Sequence, residues 1–258
     1  MGTFDLLTFS AAQALANAVA ARWLDELEAA RRRPHPYCAA LSGGRIAREF
    51  FLAVTGQAGE RSLELRWVHF FWGDERCVAP TDPESNFGMA RDCLLGPLGI
   101  PGAQIHRTRG EALPELAASE AEAELRAIAP PGQDGQPILD LVFLGMGEEG
   151  HVASLFPGEP EEIMASPAVY RPVTVPKPPP RRITLGYPAI RAARQAWVLA
   201  SGPGKAPALR QSLDPAANTP LARVLKQRPH TSIFTDSRSF FSEKAPFHLT
   251  GGRSNGKE

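Results

Sequence analysis

The hydrophobic positions of the chain fall into two patterns, short continuous apolar runs and longer stretches with helical periodicity. Continuous runs predict strands covered on both faces at residues 37–41, 67–72, 139–144, 196–200 and 231–235. Residues 169–175 and 182–185 are also predicted to be extended. Apolar residues that recur every three or four positions predict helices, as in the stripe of Leu15, Val19, Trp23 and Leu27. This alternation predicts an α/β fold, a mostly parallel sheet with helices on both faces.

Local signals predict where several helices begin and end. Ser10, with Gln13 three residues later, predicts a capping box at the start of the first helix. Pro114 is favourable as the first residue of another helix. Further helices are predicted after Lys205 and at residues 46–54, 85–95 and 221–227. No linker or repeat interrupts the pattern, so residues 1–250 are interpreted as a single domain and 251–258 as a disordered tail.

Composition and charge narrow the class of protein. The 258 residues contain 28 Lys plus Arg and 28 Asp plus Glu, and the resulting zero net charge argues against a nucleic-acid partner. Cys38, Cys77 and Cys93 form no CxxC pattern, so neither a disulfide framework nor a zinc site is indicated. The chain shows no signal peptide and no apolar run of the roughly 20 residues that a membrane span needs. These observations predict a soluble, cytoplasmic protein.

One segment, residues 138–158, joins a buried strand to a glycine-rich turn that carries Glu148, Glu149 and His151. Its spacing GxGxxG also occurs in dinucleotide sites. Pro157 and Gly158, however, end any following helix within about two turns, and no acidic residue follows about 20 positions later. A nucleotide site therefore fits poorly, and the simplest alternative is a tight turn with solvated polar residues.

Four polar or glycine-rich turns follow predicted strands, and in a parallel sheet such turns share one edge, where ligands bind. They contain Ser42 to Gly44, Asp74 to Arg76, Glu148 to His151, and Gly204 with Lys205. The first turn opens a helix, whose free N–H groups and dipole favour an anion such as phosphate. Arg76 and Lys205 are cations suited to holding a phosphate or carboxylate. Taken alone, the turn could equally be a tight turn that needs small residues, and each cation singly is more often a solvated surface charge.

His151 is the candidate general acid or base, because an imidazole exchanges protons near neutral pH. Glu149, two residues before it, could orient the ring. A serine hydrolase is disfavoured, since GxSxG is absent and neither Ser42 nor Ser154 has a nucleophile-elbow context.

The chain resembles the 6-phosphogluconolactonase family. The resemblance spans about residues 37–235 and is carried by five segments: LSGG from Leu41, WGDERCV with a following SN from Trp72 to Asn86, LGMGEEGHVASLFPG from Leu144, PKPPPRRITL from Pro176, and GPGKAPAL from Gly202. It implies the fold shared with ribose-5-phosphate isomerase and glucosamine-6-phosphate deaminase, no cofactor and no metal, and hydrolysis of a sugar-phosphate δ-lactone. A monomer is expected.

By these motifs, two groups of residues are expected to act on the substrate. The catalytic group is His151 and Glu149, with Asp74 as a further candidate base. The phosphate-binding group is Ser42, Gly43, Gly44, Arg45, Arg76, Arg182 and Lys205.

Three positions depart from the family pattern. Arg45 begins a segment that replaces the usual small hydroxyl residues, and it is interpreted either as a phosphate contact from the loop side or as a solvent-facing charge. Glu149 replaces a usual Asp, and Val152 a frequent Thr.

Two alternatives stay open at this point. A glucosamine-6-phosphate deaminase or isomerase would use an acid near Asp74 as its base, but the Arg76 of DER and the RITL segment argue against it. A non-enzymatic sugar-phosphate sensor usually carries a helix-turn-helix, and the basic DNA-reading segment is missing.

Overall fold

A computed structural model describes residues 2–237 of the chain. Its centre is a sheet of six parallel strands in the order β1-β9-β8-β5-β2-β3. The strands are β1 (Thr3–Thr8), β2 (Tyr37–Leu41), β3 (Val68–Trp72), β5 (Leu141–Gly145), β8 (Gln195–Ala200) and β9 (His230–Thr235). The five strands predicted for this sheet are confirmed within two residues at each end.

Helices cover both faces of this sheet, as predicted. One face packs against α1 (Ala12–Ala30), α2 (Arg45–Glu60) and α3 (Asn86–Ala90), which continues into a π-helical turn at Arg91–Leu95. The other face packs against α4 (Pro114–Ile128), α6 (Tyr187–Ala192), α7 (Ala206–Leu213) and α8 (Pro220–Gln227). The short helix α5 (Glu161–Met164) contributes no buried residue, and 3-10 turns lie at Gly102–Gln104 and Pro203–Lys205.

A second, antiparallel sheet holds β4 (Asp74–Arg76), β7 (Arg181–Leu185) and β6 (Tyr170–Thr174) in the order β4-β7-β6. The prediction of a polar turn at Asp74 to Arg76 was wrong, because these residues pair with β7 across more than 100 positions of sequence. Only Gly73 separates β4 from β3. The second sheet therefore begins directly at the carboxyl end of the first.

The amino terminus differs most from expectation. Strand β1 was not predicted; it pairs in parallel with β9, from the other end of the described chain. The capping box at Ser10 was also wrong: the N-cap is Ala11, and no side chain caps the helix. Gln13 instead donates forward to Asn17 Oδ1, at 3.0 Å.

Within residues 2–237, no helix combines the length and apolar character needed to cross a bilayer. The segment 251–258, for which a disordered tail was predicted, lies outside the described residues. The domain boundaries therefore stay a prediction.

Candidate active site

A cavity of about 300 Å³ opens at the carboxyl ends of the parallel strands. Strands β2, β5 and β8 end there, and β4 starts beside them. Every predicted site residue except Glu149 lines this cavity: Ser42, Gly43, Gly44, Arg45, Asp74, Arg76, His151, Arg182 and Lys205. The sheet thus brings together side chains that lie up to 163 positions apart, from Ser42 to Lys205.

Glu149 is not among the residues that line the cavity, but it is hydrogen-bonded to His151, which is. Its Oε2 is 2.9 Å from His151 Nδ1, and the imidazole stacks on Phe156 with ring centroids 4.1 Å apart. Gly147 makes this approach possible: a Cβ there would lie 1.9 Å from His151 Cε1 and Nδ1 and 2.7 Å from Glu149 Oε2. With Nδ1 on the carboxylate, Nε2 is the ring nitrogen left for proton exchange.

The carboxylate of Glu149 is ionised at neutral pH. Burial alone would raise its pKa, but the ion pair with Lys177 and the hydrogen bond from His151 outweigh burial and lower that pKa to about 2. Lys177 Nζ contacts Oε1, and so Glu149 binds a cation with one oxygen and the imidazole with the other.

Burial of His151 favours the neutral imidazole that a general base requires. Desolvation lowers its pKa below the ordinary 6.5, and the negative charge of Glu149 opposes this shift only in part. The imidazole is therefore neutral at pH 7, with Nε2 able to accept a proton.

The turn after β2 contains two glycines, and its backbone lies close to the side chain of Asn86. A Cβ on Gly43 would lie 1.9 Å from Asn86 Oδ1, and Gly44 adopts φ +92 as the N-cap of α2. Ser42 Oγ accepts the N–H of Gly145 at 3.0 Å, which ties the turn to the end of β5. The turn places the N-terminus of a 16-residue helix at the cavity, where its dipole favours an anion.

Asp74, Arg76 and Arg182 form a second group of polar side chains that line the cavity. Asp74 is buried, and its Oδ2 accepts the hydroxyl of Ser154 at 2.6 Å. Arg76 donates from Nη1 to the carbonyl of Glu84 at 2.7 Å, and its buried Nε has no hydrogen-bond partner among the described residues. Burial, together with Arg76, lowers the pKa of Arg182.

The position of Arg76 is fixed by the buried carboxylate of Glu75. It accepts the backbone N–H groups of Arg76, Asn86 and Phe87 at 2.8, 2.8 and 2.7 Å, and the hydroxyl of Ser85 at 3.2 Å. Burial nevertheless raises its pKa. Glu75 thereby joins β4 to the start of α3.

Lys205 and Arg45 contribute positive charge to the cavity. Burial lowers the pKa of Lys205, and the nearby charges of Lys177 and Arg45 act in the same direction, opposed by Glu148 and Glu149. Arg45 is exposed at the first position of α2.

Sequence reasoning missed Asn86, Ser201 and Lys177. Asn86 and Ser201 line the cavity, and Lys177 reaches Glu149. Asn86 donates to the carbonyl of Asp74 at 2.8 Å. Asn86 lies in the SN motif and Lys177 in the PKPPPRRITL motif, so the family motifs could have identified both residues.

A parallel α/β sheet whose carboxyl edge holds a cation-lined cavity with a neutral histidine is typical of an enzyme that acts on a small anionic molecule. A profile of the family described as "Glucosamine-6-phosphate isomerases/6-phosphogluconolactonase" matches residues 10–233. The chain belongs to this family, as its motifs predicted.

Two similar proteins of this family are named 6-phosphogluconolactonase. The 6-phosphogluconolactonase of Mycobacterium tuberculosis is 42% identical over 178 residues, 67% of this chain and 71% of its own. The human 6-phosphogluconolactonase is 40% identical over 223 residues, 84% of this chain and 83% of its own.

Solved structures support the fold. The 6-phosphogluconolactonase of Trypanosoma brucei, 27% identical, matches with a TM-score of 0.81 over 95% of this chain and 99% of its own. A monomeric glucosamine-6-phosphate deaminase, 18% identical, matches with a TM-score of 0.78 over 93% of this chain and 100% of its own. The second match shows the shared fold alone, which confirms the predicted fold class.

Proposed function

We propose that the chain hydrolyses 6-phospho-D-glucono-1,5-lactone to 6-phospho-D-gluconate, a step of the oxidative pentose phosphate pathway. The observation that carries this proposal is the neutral His151, held by an ionised Glu149, in a cavity that Arg76 and Lys205 also line. The relatives named 6-phosphogluconolactonase support the same reaction.

His151 acts as general base and then as general acid. Its Nε2 takes a proton from water as the water oxygen attacks the lactone carbonyl carbon, giving a tetrahedral alkoxide. The alkoxide reforms the carbonyl, the bond from that carbon to the ring oxygen breaks, and His151 returns its proton to the ring oxygen. The product is a carboxylic acid with a free hydroxyl, and the acid then releases its proton to solvent. A positioned base contributes roughly 10²–10⁴-fold to such a rate.

Charge develops on the carbonyl oxygen during the attack, and a fixed donor would stabilise it. Arg76 is one candidate, because its guanidinium is a cation on a residue that lines the cavity. A backbone N–H of the Gly43-Gly44 turn is the other candidate donor.

The 6-phosphate is assigned to Arg76, Lys205 and the Ser42 to Gly44 turn, with Arg45 and Arg182 as further contacts. The N-terminus of α2 and the cations meet in the one cavity, which suits a dianion. Arg182 already donates to Pro179 O at 2.9 Å, so part of its hydrogen-bonding capacity is structural.

Substrates with and without phosphate test this assignment. Lys205→Ala should raise KM for the phosphorylated lactone far more than for unphosphorylated gluconolactone. Lys226→Ala, which changes an exposed lysine of α8, is the matched control and should affect neither. An equal effect of Lys205→Ala on both lactones would refute the phosphate assignment.

Arg45 is tested in the same way. Its guanidinium stands at the first position of α2, where it can take the place of the missing hydroxyl groups. Arg45→Ala should raise KM and weaken product inhibition by 6-phosphogluconate. Unchanged values of both would make Arg45 a solvent-facing charge.

Two alternatives to hydrolysis have distinct products. A deaminase would use Asp74 as a base, and its activity would release ammonia from glucosamine-6-phosphate. Asp74 is buried and already accepts the hydroxyl of Ser154 at 2.6 Å. A sensor would bind the sugar phosphate without turnover. Loss of enzymatically generated lactone faster than the spontaneous rate would mark the hydrolase, and neither alternative predicts it.

A monomeric state and a location in the cytoplasm belong to this proposal.

A further inference from the structure

Lys177 links the catalytic turn to a second part of the chain. It lies in the segment between β6 and β7, and its Nζ forms an ion pair with Glu149 Oε1. The other carboxylate oxygen, Oε2, accepts from His151 Nδ1 at 2.9 Å. Lys177, Glu149 and His151 therefore form one continuous chain of contacts that ends at the imidazole.

We propose that Lys177 is a positioning residue for His151, acting through Glu149. Its ammonium holds one carboxylate oxygen so that the other stays on Nδ1 and Nε2 stays turned toward the cavity. This role for Lys177 depends on the proposed hydrolysis only where kcat and KM are measured.

The Glu149 carboxylate needs a second contact, besides His151, to hold its orientation. Its side chain is 35% exposed, and a glutamate has several rotatable bonds that a single hydrogen bond would not fix. The glycine at position 147 leaves space on the side facing the strand end, where a Cβ would lie 2.7 Å from Oε2. The ion pair to Lys177 restrains the carboxylate through its other oxygen.

The backbone that carries Lys177 is itself held in place. Arg182, buried at the start of β7, donates from Nε to Pro179 O at 2.9 Å and from Nη2 to the carbonyls of Lys177 and Pro178, each at 3.4 Å. The N–H of Val175 donates to Pro180 O at 2.8 Å and closes the segment. Lys177 is thus presented to Glu149 from an ordered loop.

The competing role for Lys177 is direct contact with the substrate phosphate. Its side chain is 46% exposed, and its charge helps to lower the pKa of Lys205. Its Nζ, however, already forms an ion pair with Glu149. A phosphate contact would raise KM when removed, whereas a positioning residue would lower kcat.

Three charged or titratable side chains act on His151: Glu149 and Asp74, which favour its protonated form, and Lys177, which disfavours it. Without Lys177 the Glu149 carboxylate is no longer held on Nδ1, and its pKa-raising effect on His151 weakens. The pKa change that Glu149→Gln causes at His151 should therefore be smaller in a Lys177→Met background than in the unmodified chain.

A double-mutant cycle tests the proposal in the full chain. Lys177→Met should lower kcat about 10-fold with KM changed less than about 3-fold, as expected for a misplaced base. Lys177→Arg should restore most of the activity. In a Glu149→Gln background, Lys177→Met should change kcat less than about 2-fold, because its effect passes through that carboxylate. Equal losses in both backgrounds, or a raised KM at constant kcat, would overturn the proposal.

An NMR titration makes the test independent of turnover. The ring C–H signals of His151 are assigned by their loss in His151→Asn. Glu149→Gln should lower their titration midpoint less in a Lys177→Met background than in the unmodified chain. An equal or larger lowering would overturn the proposal even if the chain hydrolyses the lactone. If no lactone is hydrolysed and the lowering is still smaller, the proposed function fails and the positioning by Lys177 stands.

Discussion

At position 147 the lack of a side chain allows His151 and Glu149 to pack against the end of β5. A Cβ there would lie 1.9 Å from the imidazole. Gly147→Ala should therefore displace His151 and lower kcat by about 10²-fold, the size expected for a misplacement of the order of 1 Å. Steady-state kinetics with the phosphorylated lactone measures the loss.

Gly56→Ala is the matched control for this substitution. Gly56 lies inside α2, where an added Cβ meets no atom within 4 Å. The control should keep full activity and stabilise the protein by about 0.5–1 kcal/mol, since alanine is a better helix former than glycine. Normal activity of Gly147→Ala would contradict the role of that turn.

The pKa of His151 sets the expected pH dependence. Burial lowers it below 6.5, and a base acts only when neutral. The midpoint of the acid limb of kcat/KM should therefore lie below pH 6.5, with activity present above it and lost as the pH falls through it. Glu149→Gln removes a charge that raises this pKa, so the limb should move lower still. A limb above pH 7, after correction for spontaneous hydrolysis, would be inconsistent with His151 as the base.

Among the secondary-structure elements, the junction of β4 and α3 positions Arg76 through Glu75. Three backbone N–H groups and one hydroxyl converge on that carboxylate, which is only 2% exposed. Glu75→Gln replaces one acceptor oxygen by an NH₂ facing these donors. It should destabilise the protein by about 2 kcal/mol and raise KM for the phosphorylated lactone.

Urea unfolding and steady-state kinetics check this prediction, with Glu28→Gln on the exposed face of α1 as the control. Unchanged stability and KM in Glu75→Gln would show that the junction is held by other contacts.

The elements found from sequence were those with strong local signals. The apolar runs of β2 and β5 identify buried strands by themselves, and Pro114 marks the start of α4. Strand β1 and strand β4 escaped prediction because partners distant in sequence, β9 and β7, determine their pairing. Ser10 carries a capping signal that the chain does not use.

The candidate site was predictable to a similar extent. Motif residues such as His151 and Arg76 follow strands, and parallel topology alone places them at one edge. The ion pair of Lys177 with Glu149 was not predictable, because it joins two loops whose approach depends on the second sheet.

For the molecule as a whole, one buried stabilising network lies at the end of the sheet opposite the cavity. Arg228, buried just before β9, donates to the carbonyls of Ile190, Ala193 and His230. Arg228→Met would leave these carbonyls unpaired and should cost about 3 kcal/mol or more of the free energy of unfolding. Because the cavity lies at the other end, kcat below the melting temperature should be retained.

Arg191→Met is the control for Arg228→Met. Arg191 forms an exposed ion pair with Asp134 at 2.6 Å, and such pairs contribute about 0–1 kcal/mol. In thermal unfolding, the melting temperature of Arg228→Met should be clearly lower than that of Arg191→Met. Similar melting temperatures would show that Arg228 does not stabilise this end of the sheet.

The most direct test of the proposed reaction is the hydrolysis of enzymatically generated 6-phosphogluconolactone by His151→Asn, measured against the spontaneous rate. Asparagine keeps polarity and approximate size but cannot exchange the proton, so kcat should fall by roughly 10²–10⁴-fold. Binding of 6-phosphogluconate should be largely retained. Hydrolysis within a few-fold of the unmodified chain would contradict His151 as the base, and Asp74 or Glu148 would then be the next residues to replace.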